Sequence, residues 1–178
     1  MNETLVMHRL WKLFADTVGK GVILAPRGCG VTSWGVRRLL HTESSRYIAV
    51  DQSHRDEIRR SLTQVDCQFL LDNQTTPTTV EYTVFDAVTS LRMDMDAAYA
   101  AFKRWAGVSQ GWLVIGSPKA ENDLLLRLRD EGYPTLEIPA VTPEGVALFP
   151  EIWTEAALCA KQAELGDTAF ARSFLLRP

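Results

Sequence analysis

Apolar positions along this chain switch repeatedly between two spacings. Leu5, Leu10, Leu13, Phe14 and Val18 recur at helical spacing, which predicts an amphipathic helix over Thr4 to Thr17, stopped by Gly19 and Gly21. Val22 to Ala25 is a short apolar run of the kind found in buried strands, and Thr32 to Leu40 reads as the helix after it. Gly35 counts against that helix by about 1 kcal/mol. Tyr47 to Asp51 predicts a second strand, and Ser53, Asp56 and Glu57 mark a capped helix start running to about Leu62. Cys67 to Leu71 is a third apolar run. Val80, Tyr82 and Val84 alternate with polar residues, which predicts a half-exposed strand.

The second half continues the alternation. Asp94 or Asp96 caps a predicted helix through Trp105, stopped by Gly107, and Trp112 to Ile115 is the next buried strand. Asn122 to Asp130 reads as a helix closed by Gly132, Thr135 to Ile138 as a strand, and the chain from Thr154 as two helical pieces divided at Gly166 and Asp167. Strands alternating with helices predict an α/β fold with a mostly parallel sheet covered on both faces. Ligands bind such sheets at the carboxyl ends of the strands, a rim that would hold the 26 to 33 loop, Asp72, Asn73 and Ser117.

The loop between the first strand and the second helix carries the clearest chemical signal. A phosphate-binding loop asks for a small residue, four free positions, then Gly, Lys and Ser or Thr, and Ala25 to Thr32 meets every position but the lysine. Arg27, Gly28, Cys29, Gly30, Val31, Thr32 and Ser33 are the candidate nucleotide-binding residues. Glycines at 28 and 30 can take positive φ and let backbone N–H groups close on a polyphosphate at the helix N-terminus. Thr32 is placed to ligate Mg²⁺, whereas Val31 stands where the lysine charge belongs. Arg27 and Lys20 are the cations considered as substitutes, although a planar guanidinium is a poor geometric replacement for a lysine ammonium.

A nucleotide loop of this kind works with an acid at the end of a neighbouring strand and a second carboxylate that orients the attacking water. CQFLLDN offers Asp72 for the first role and puts Asn73, which cannot act as a base, in the second. Asp86, after TVF, is the alternative strand-end acid, and for either aspartate a plain loop-capping role is the competing reading.

Composition narrows the remaining classes. At 178 residues the chain suits a single domain, divided here into an N-terminal helix (1–20), an α/β core (21–140) and a C-terminal helical extension (141–178). A net charge of -3 argues against a dedicated nucleic-acid binder, and the arginines at 37, 38, 55, 59 and 60 read as solvated helix faces. Cys29, Cys67 and Cys159 are widely spaced, as are His8, His41 and His54, so neither a disulfide framework nor a zinc site is expected. The five tryptophans read as packing residues. No apolar run approaches a membrane span and no signal-peptide pattern opens the chain, so a cytoplasmic protein is expected.

Longer stretches resemble a known family. Trp112 to Gly145, WLVIGSPKAENDLLLRLRDEGYPTLEIPAVTPEG, is similar to the segment of phage terminase large subunits in which a strand ends in Gly-Thr-Pro or Gly-Ser-Pro. In that family a leucine-faced helix and a strand ending in Pro-Ala follow. The tail from Ala147, ALFPEIWTEAALCAKQAELGDTAFARSFLLRP, resembles the family's Leu-Phe-Pro turn, Phe-x-x-x-Phe helix and final Asn-Pro. PRGCGVTS resembles its arginine-containing loop, and the closest likeness is to the short-tailed-phage type.

The resemblance implies a three-layer P-loop NTPase-like fold of the ASCE or RecA-like kind. It also implies ATP and Mg²⁺ as ligands, Asp72 as the metal-coordinating acid, and Gly116 and Ser117 as the motif coupling nucleotide state to DNA movement. Val31 and Asn73 depart from it, and the chain stops at Pro178, where the family's nuclease domain would begin. The resulting expectation is a nuclease-free, degenerate terminase ATPase module that acts by binding a packaging motor, portal, capsid component or DNA. A slow ATPase completed by a partner and a structural virion protein without nucleotide stand as alternatives.

Overall fold

The computed structural model describes residues 3–49, 52–61, 65–86 and 94–177. The expected element ends at Asp51 and Leu62 and the terminal Pro178 lie outside the described residues, as do the side chains of Leu5, Ser53 and His54. Six strands form one sheet: β1 (Lys20–Leu24), β2 (Ser45–Ala49), β3 (Asp66–Phe69), β4 (Val80–Asp86), β5 (Ser109–Gly116) and β6 (Thr135–Glu137). Their spatial order is β3-β2-β4-β5-β1-β6, and every pairing is parallel. The helices are α1 (Glu3–Val18), α2 (Val31–Leu39), α3 (Gln52–Ser61), α4 (Met95–Ala106), α5 (Leu124–Asp130), α6 (Glu155–Leu165) and α7 (Asp167–Phe174).

Alternation along the strands sorts the core into two layers, because successive side chains point to opposite sheet faces. Ile23, Tyr47, Val84, Leu113 and Ile115 face one side, where Trp11 and Ala15 of α1 and Trp34 and Leu39 of α2 cover them. Val22, Leu24, Ile48, Phe85 and Val114 face the other, under Phe102 and Trp105 of α4 and the leucines of α5. A parallel sheet needs this double cover, since its crossovers place helices on both faces. A third, smaller cluster joins Ala140 to Leu158, Phe170 and Phe174 of the C-terminal helices.

One strand differs from its expectation. The alternation at Val80, Tyr82 and Val84 predicts a half-exposed strand, yet β4 sits between β2 and β5 and only Glu81 of its seven residues is exposed. The polar Thr83 is buried because its hydroxyl has a partner: Thr83 Oγ1 and Ser109 Oγ lie 2.6 Å apart across the β4–β5 pair, and Ser109 Oγ donates to the Trp105 carbonyl at 3.0 Å. A satisfied hydroxyl can be buried at little net cost. At the opposite end of the sheet from the glycine loop, Arg46 is also buried. Its Nε donates to Asp66 at 2.7 Å, Nη2 donates to the Thr78 carbonyl at 3.1 Å, and the guanidinium lies 4.8 Å from the Trp105 ring centroid.

Two glycines let helices approach the sheet closely. A Cβ at Gly35 would stand 2.7 Å from Ile115 Cδ1, so the residue that weakens α2 as an isolated helix is the one that lets it settle on β5. A Cβ at Gly21 would stand 2.9 Å from the Pro134 carbonyl oxygen and 3.0 Å from both Phe14 and Val18. Gly21→Ala is therefore expected to destabilise the fold by about 1–3 kcal/mol, more than alanine recovers by restricting the unfolded chain. Urea denaturation checks this, and a midpoint at or above the wild-type value would show that α1 and the β6 edge give way freely.

Candidate functional site

The loop from β1 to α2 is built as its glycines require. Gly28 has φ 75° and Gly30 φ 90°, both in the left-handed region that side chains avoid, and Gly30 forms the N-cap of α2. No side chain caps that N-terminus. The nine-residue helix therefore presents its positive end to the loop, while Arg37 and Arg38 complement its last turn. Space for a Cβ is open at Gly30. A cleft of about 380 Å³ lies here, lined among others by Arg27, Gly30, Thr32, Asp86, Ser117 and Lys119. Its volume is that of a small-ligand site, and its largely apolar lining carries the polar groups of Arg27, Thr32, Asp86 and Lys119.

The acid of this cleft is Asp86, the alternative strand-end aspartate. It ends β4, separated from β1 by β5 alone, and is 1% exposed. Thr32 Oγ1 donates to Asp86 Oδ1 at 3.2 Å, and the Tyr47 hydroxyl donates to Oδ2 at 2.6 Å. Burial, reinforced by the Asp86 charge, pushes the Tyr47 phenol pKa up and keeps it a donor. Thr32 and Asp86 thus bring one hydroxyl and one carboxylate together at a helix N-terminus, a donor set of the all-oxygen kind that Mg²⁺ takes beside phosphate. Among the described residues no group of three His, Cys, Asp or Glu is arranged as a metal cage, so ligand phosphate would have to complete such a shell.

Asp72, the expected metal-coordinating acid, is placed elsewhere. It follows β3 at the far edge of the sheet, four strand spacings or roughly 19 Å from β1. Its carboxylate is spent on its own turn, accepting from the Thr75 hydroxyl at 2.6 Å and from the Gln74 N–H at 2.9 Å. Those two bonds, the hydroxyl first, hold its pKa below the usual aspartate range. Arg104 donates to its carbonyl, and Asn73 beside it is exposed. The turn-capping reading is what the geometry of Asp72 displays. Asp72 is the aspartate that the resemblance matches to the metal-coordinating acid, and strand order shows that β4, which ends in Asp86, is the nearer neighbour of β1.

The remaining expected residues divide in the same way. Val31 is 7% exposed and belongs to the core cluster with Trp34 and Ile115, and where it lines the cleft it brings no charge. Cys29 is buried as well, and burial pushes its thiol up to about 12. Lys20, considered as a substitute cation, begins β1 and lies roughly 16 Å along the strand from Ala25. Ser117 and Gly116 do meet the loop: Ser117 Oγ donates to the Ala25 carbonyl at 2.6 Å, and the Ala25 N–H donates to the Gly116 carbonyl at 3.0 Å.

Two contacts at the cleft carry no sequence signal strong enough to single them out. Lys119 lines the cleft from the β5–α5 loop, three residues beyond Gly116. Trp153 comes from the chain before α6, donates its indole N–H to the Arg27 carbonyl at 2.9 Å, and sets its ring 3.1 Å from where a Gly28 Cβ would stand. Phe174 of α7 meets the same ring edge-on at 4.9 Å, which fastens the C-terminal helices to the loop.

The thiols give a direct check on this arrangement. Burial raises Cys29 to about 12 and Cys67 to about 11, while Cys159 is exposed on α6. A raised thiol pKa leaves little thiolate at pH 8, so iodoacetamide should alkylate Cys159 rapidly and leave Cys29 and Cys67 intact until the chain is unfolded. Peptide mass spectrometry reads this, and rapid labelling of Cys29 in the native protein would mean that the loop is not packed under Trp153. No protein-family model matches the chain, and no curated protein matches it.

Proposed function

We propose that this chain is a terminase-like module with a P-loop NTPase-like fold that binds a Mg²⁺-nucleoside triphosphate in the cleft at Gly28 to Ser33 and acts by binding more than by hydrolysis. The observation that carries the reading is the contact of Thr32 Oγ1 with Asp86 Oδ1 at 3.2 Å, at the N-terminus of α2. It joins the loop hydroxyl to a strand-end acid, the two protein groups that hold Mg²⁺ in a phosphate-loop nucleotidase. Backbone N–H groups of the loop would take phosphate oxygens, Thr32 and Asp86 would hold the ion, and the ion would neutralise phosphate charge.

Weak hydrolysis follows from two absences in that frame. Val31 gives no charge to the phosphates, and Ala87, next in sequence after Asp86, has no carboxylate with which to orient water. The second loss thus stands at Ala87, and Asn73 is remote from the cleft. Among the described lining residues Asp86 is the sole carboxylate. The motif resemblance from Trp112 to the tail supports a role beside packaging or head proteins, with portal, capsid, motor subunit or DNA as the partner.

Titration of the full chain with Mg²⁺ and a non-hydrolysable ATP analogue tests the reading. Saturable binding is expected, weakened about tenfold or more in Thr32→Ala, a loss of about 1.4 kcal/mol. Asp86→Asn should remove the Mg²⁺ dependence, and Asp72→Asn should leave binding unchanged. Absence of saturable binding would favour a structural protein, whereas phosphate release in a separate incubation with Mg²⁺ and ATP, abolished by Asp86→Asn, would make the chain an ATPase.

A further inference from the structure

Resting on the nucleotide-binding reading above, we propose that Lys119 supplies the phosphate-facing charge that Val31 cannot, and so makes the cleft selective for nucleoside di- and triphosphates over monophosphates. In a phosphate loop the charge on the terminal phosphates comes from the first turn of the helix. Here that position is filled by Val31, 7% exposed and part of the core cluster, so the first turn of α2 supplies no cation. Among the described residues lining the cleft, Arg27 and Lys119 are the cations.

Of the two, Lys119 is the one whose backbone the fold pins to the cleft. Ser117 is bonded to the loop through its hydroxyl and Ala25, at 2.6 Å, and Pro118 behind it is buried. The Lys119 N–H donates to Asp123 Oδ2 at 2.9 Å. Asp123 is 1% exposed and also caps α5 through the Leu125 N–H at 2.9 Å. The segment that carries Lys119 is thus tied to the glycine loop through Ser117 and to the start of α5 through Asp123. Lys119 is itself half-buried, whereas Arg27 is exposed on the outer turn of the loop. A cation held on a fixed backbone loses less freedom on meeting phosphate than one on an exposed side chain. An ammonium is also the compact charge that the loop has lost.

Calorimetric titration of the full chain with a non-hydrolysable ATP analogue, ADP and AMP, each with Mg²⁺, decides the matter. Lys119→Met is expected to weaken the triphosphate analogue by about tenfold or more while AMP affinity stays within about twofold, and Lys119→Arg should stay within about threefold of wild type. Melting temperature and circular dichroism establish that each variant folds, and Lys119→Gln replaces the methionine variant if that one does not. Unchanged triphosphate affinity without the lysine charge, while Thr32→Ala still weakens it, would overturn this proposal and leave the nucleotide reading standing. An equal loss for AMP, or no recovery with arginine, would overturn it too. Failure of the wild-type chain to bind any of the three ligands would remove the nucleotide reading and this inference together.

Discussion

A carboxylate buried at the end of a central strand must be hydrogen-bonded or it destabilises the fold, and Asp86 meets that demand with two hydroxyls drawn from different elements. Tyr47 reaches it from β2, the neighbouring strand, and Thr32 reaches it from the first turn of α2. The requirement therefore fixes how the glycine loop stands over the sheet. Thr32 cannot make its bond unless α2 starts close to the carboxyl ends of β5 and β4, and α2 lies that close because Gly35 presents no side chain to Ile115 and Val84. The polar site and the apolar packing beneath it are two parts of one constraint.

The loop is then held from two further sides. On the β5 side, Ser117 and the Gly116 carbonyl grip Ala25, so any movement of the loop is felt at the Gly-Ser-Pro turn. On the outer side, Trp153 lies on Gly28 and bonds the Arg27 carbonyl, and its edge-on contact with Phe174 passes that contact to the C-terminal helices. A ligand in the cleft would meet a surface already organised by these bonds, which favours binding by lowering the ordering cost. On the proposed reading, hydrolysis would also need a charge and a base, and the sequence has Val31 in the loop and Ala87 after Asp86.

Much of this was legible in the residues. The helix over Thr4 to Thr17, the helix after the loop, the Asp94 cap and the division at Gly166 all match observed elements to within a few residues, because apolar period and capping chemistry are local. The left-handed glycines at 28 and 30 were legible for the same reason. Strand β4 was misjudged as half-exposed because alternation cannot show that Thr83 finds Ser109 across the sheet. Trp153 packs, as its residue type suggests, but its contact with the loop, like the place of Lys119 at the cleft, depends on where distant parts of the chain bring them.

By itself, then, the sequence determined the elements, their alternation and the missing lysine, all of which depend on residues within a turn or two of each other. Tertiary structure alone decided which aspartate belongs to the loop. Asp72 and Asp86 both follow apolar runs, and nothing local separates them. Strand order does, by placing β4 one strand from the loop strand and β3 at the far edge, and strand order is set by long-range burial across both sheet faces, which no short stretch of chain records.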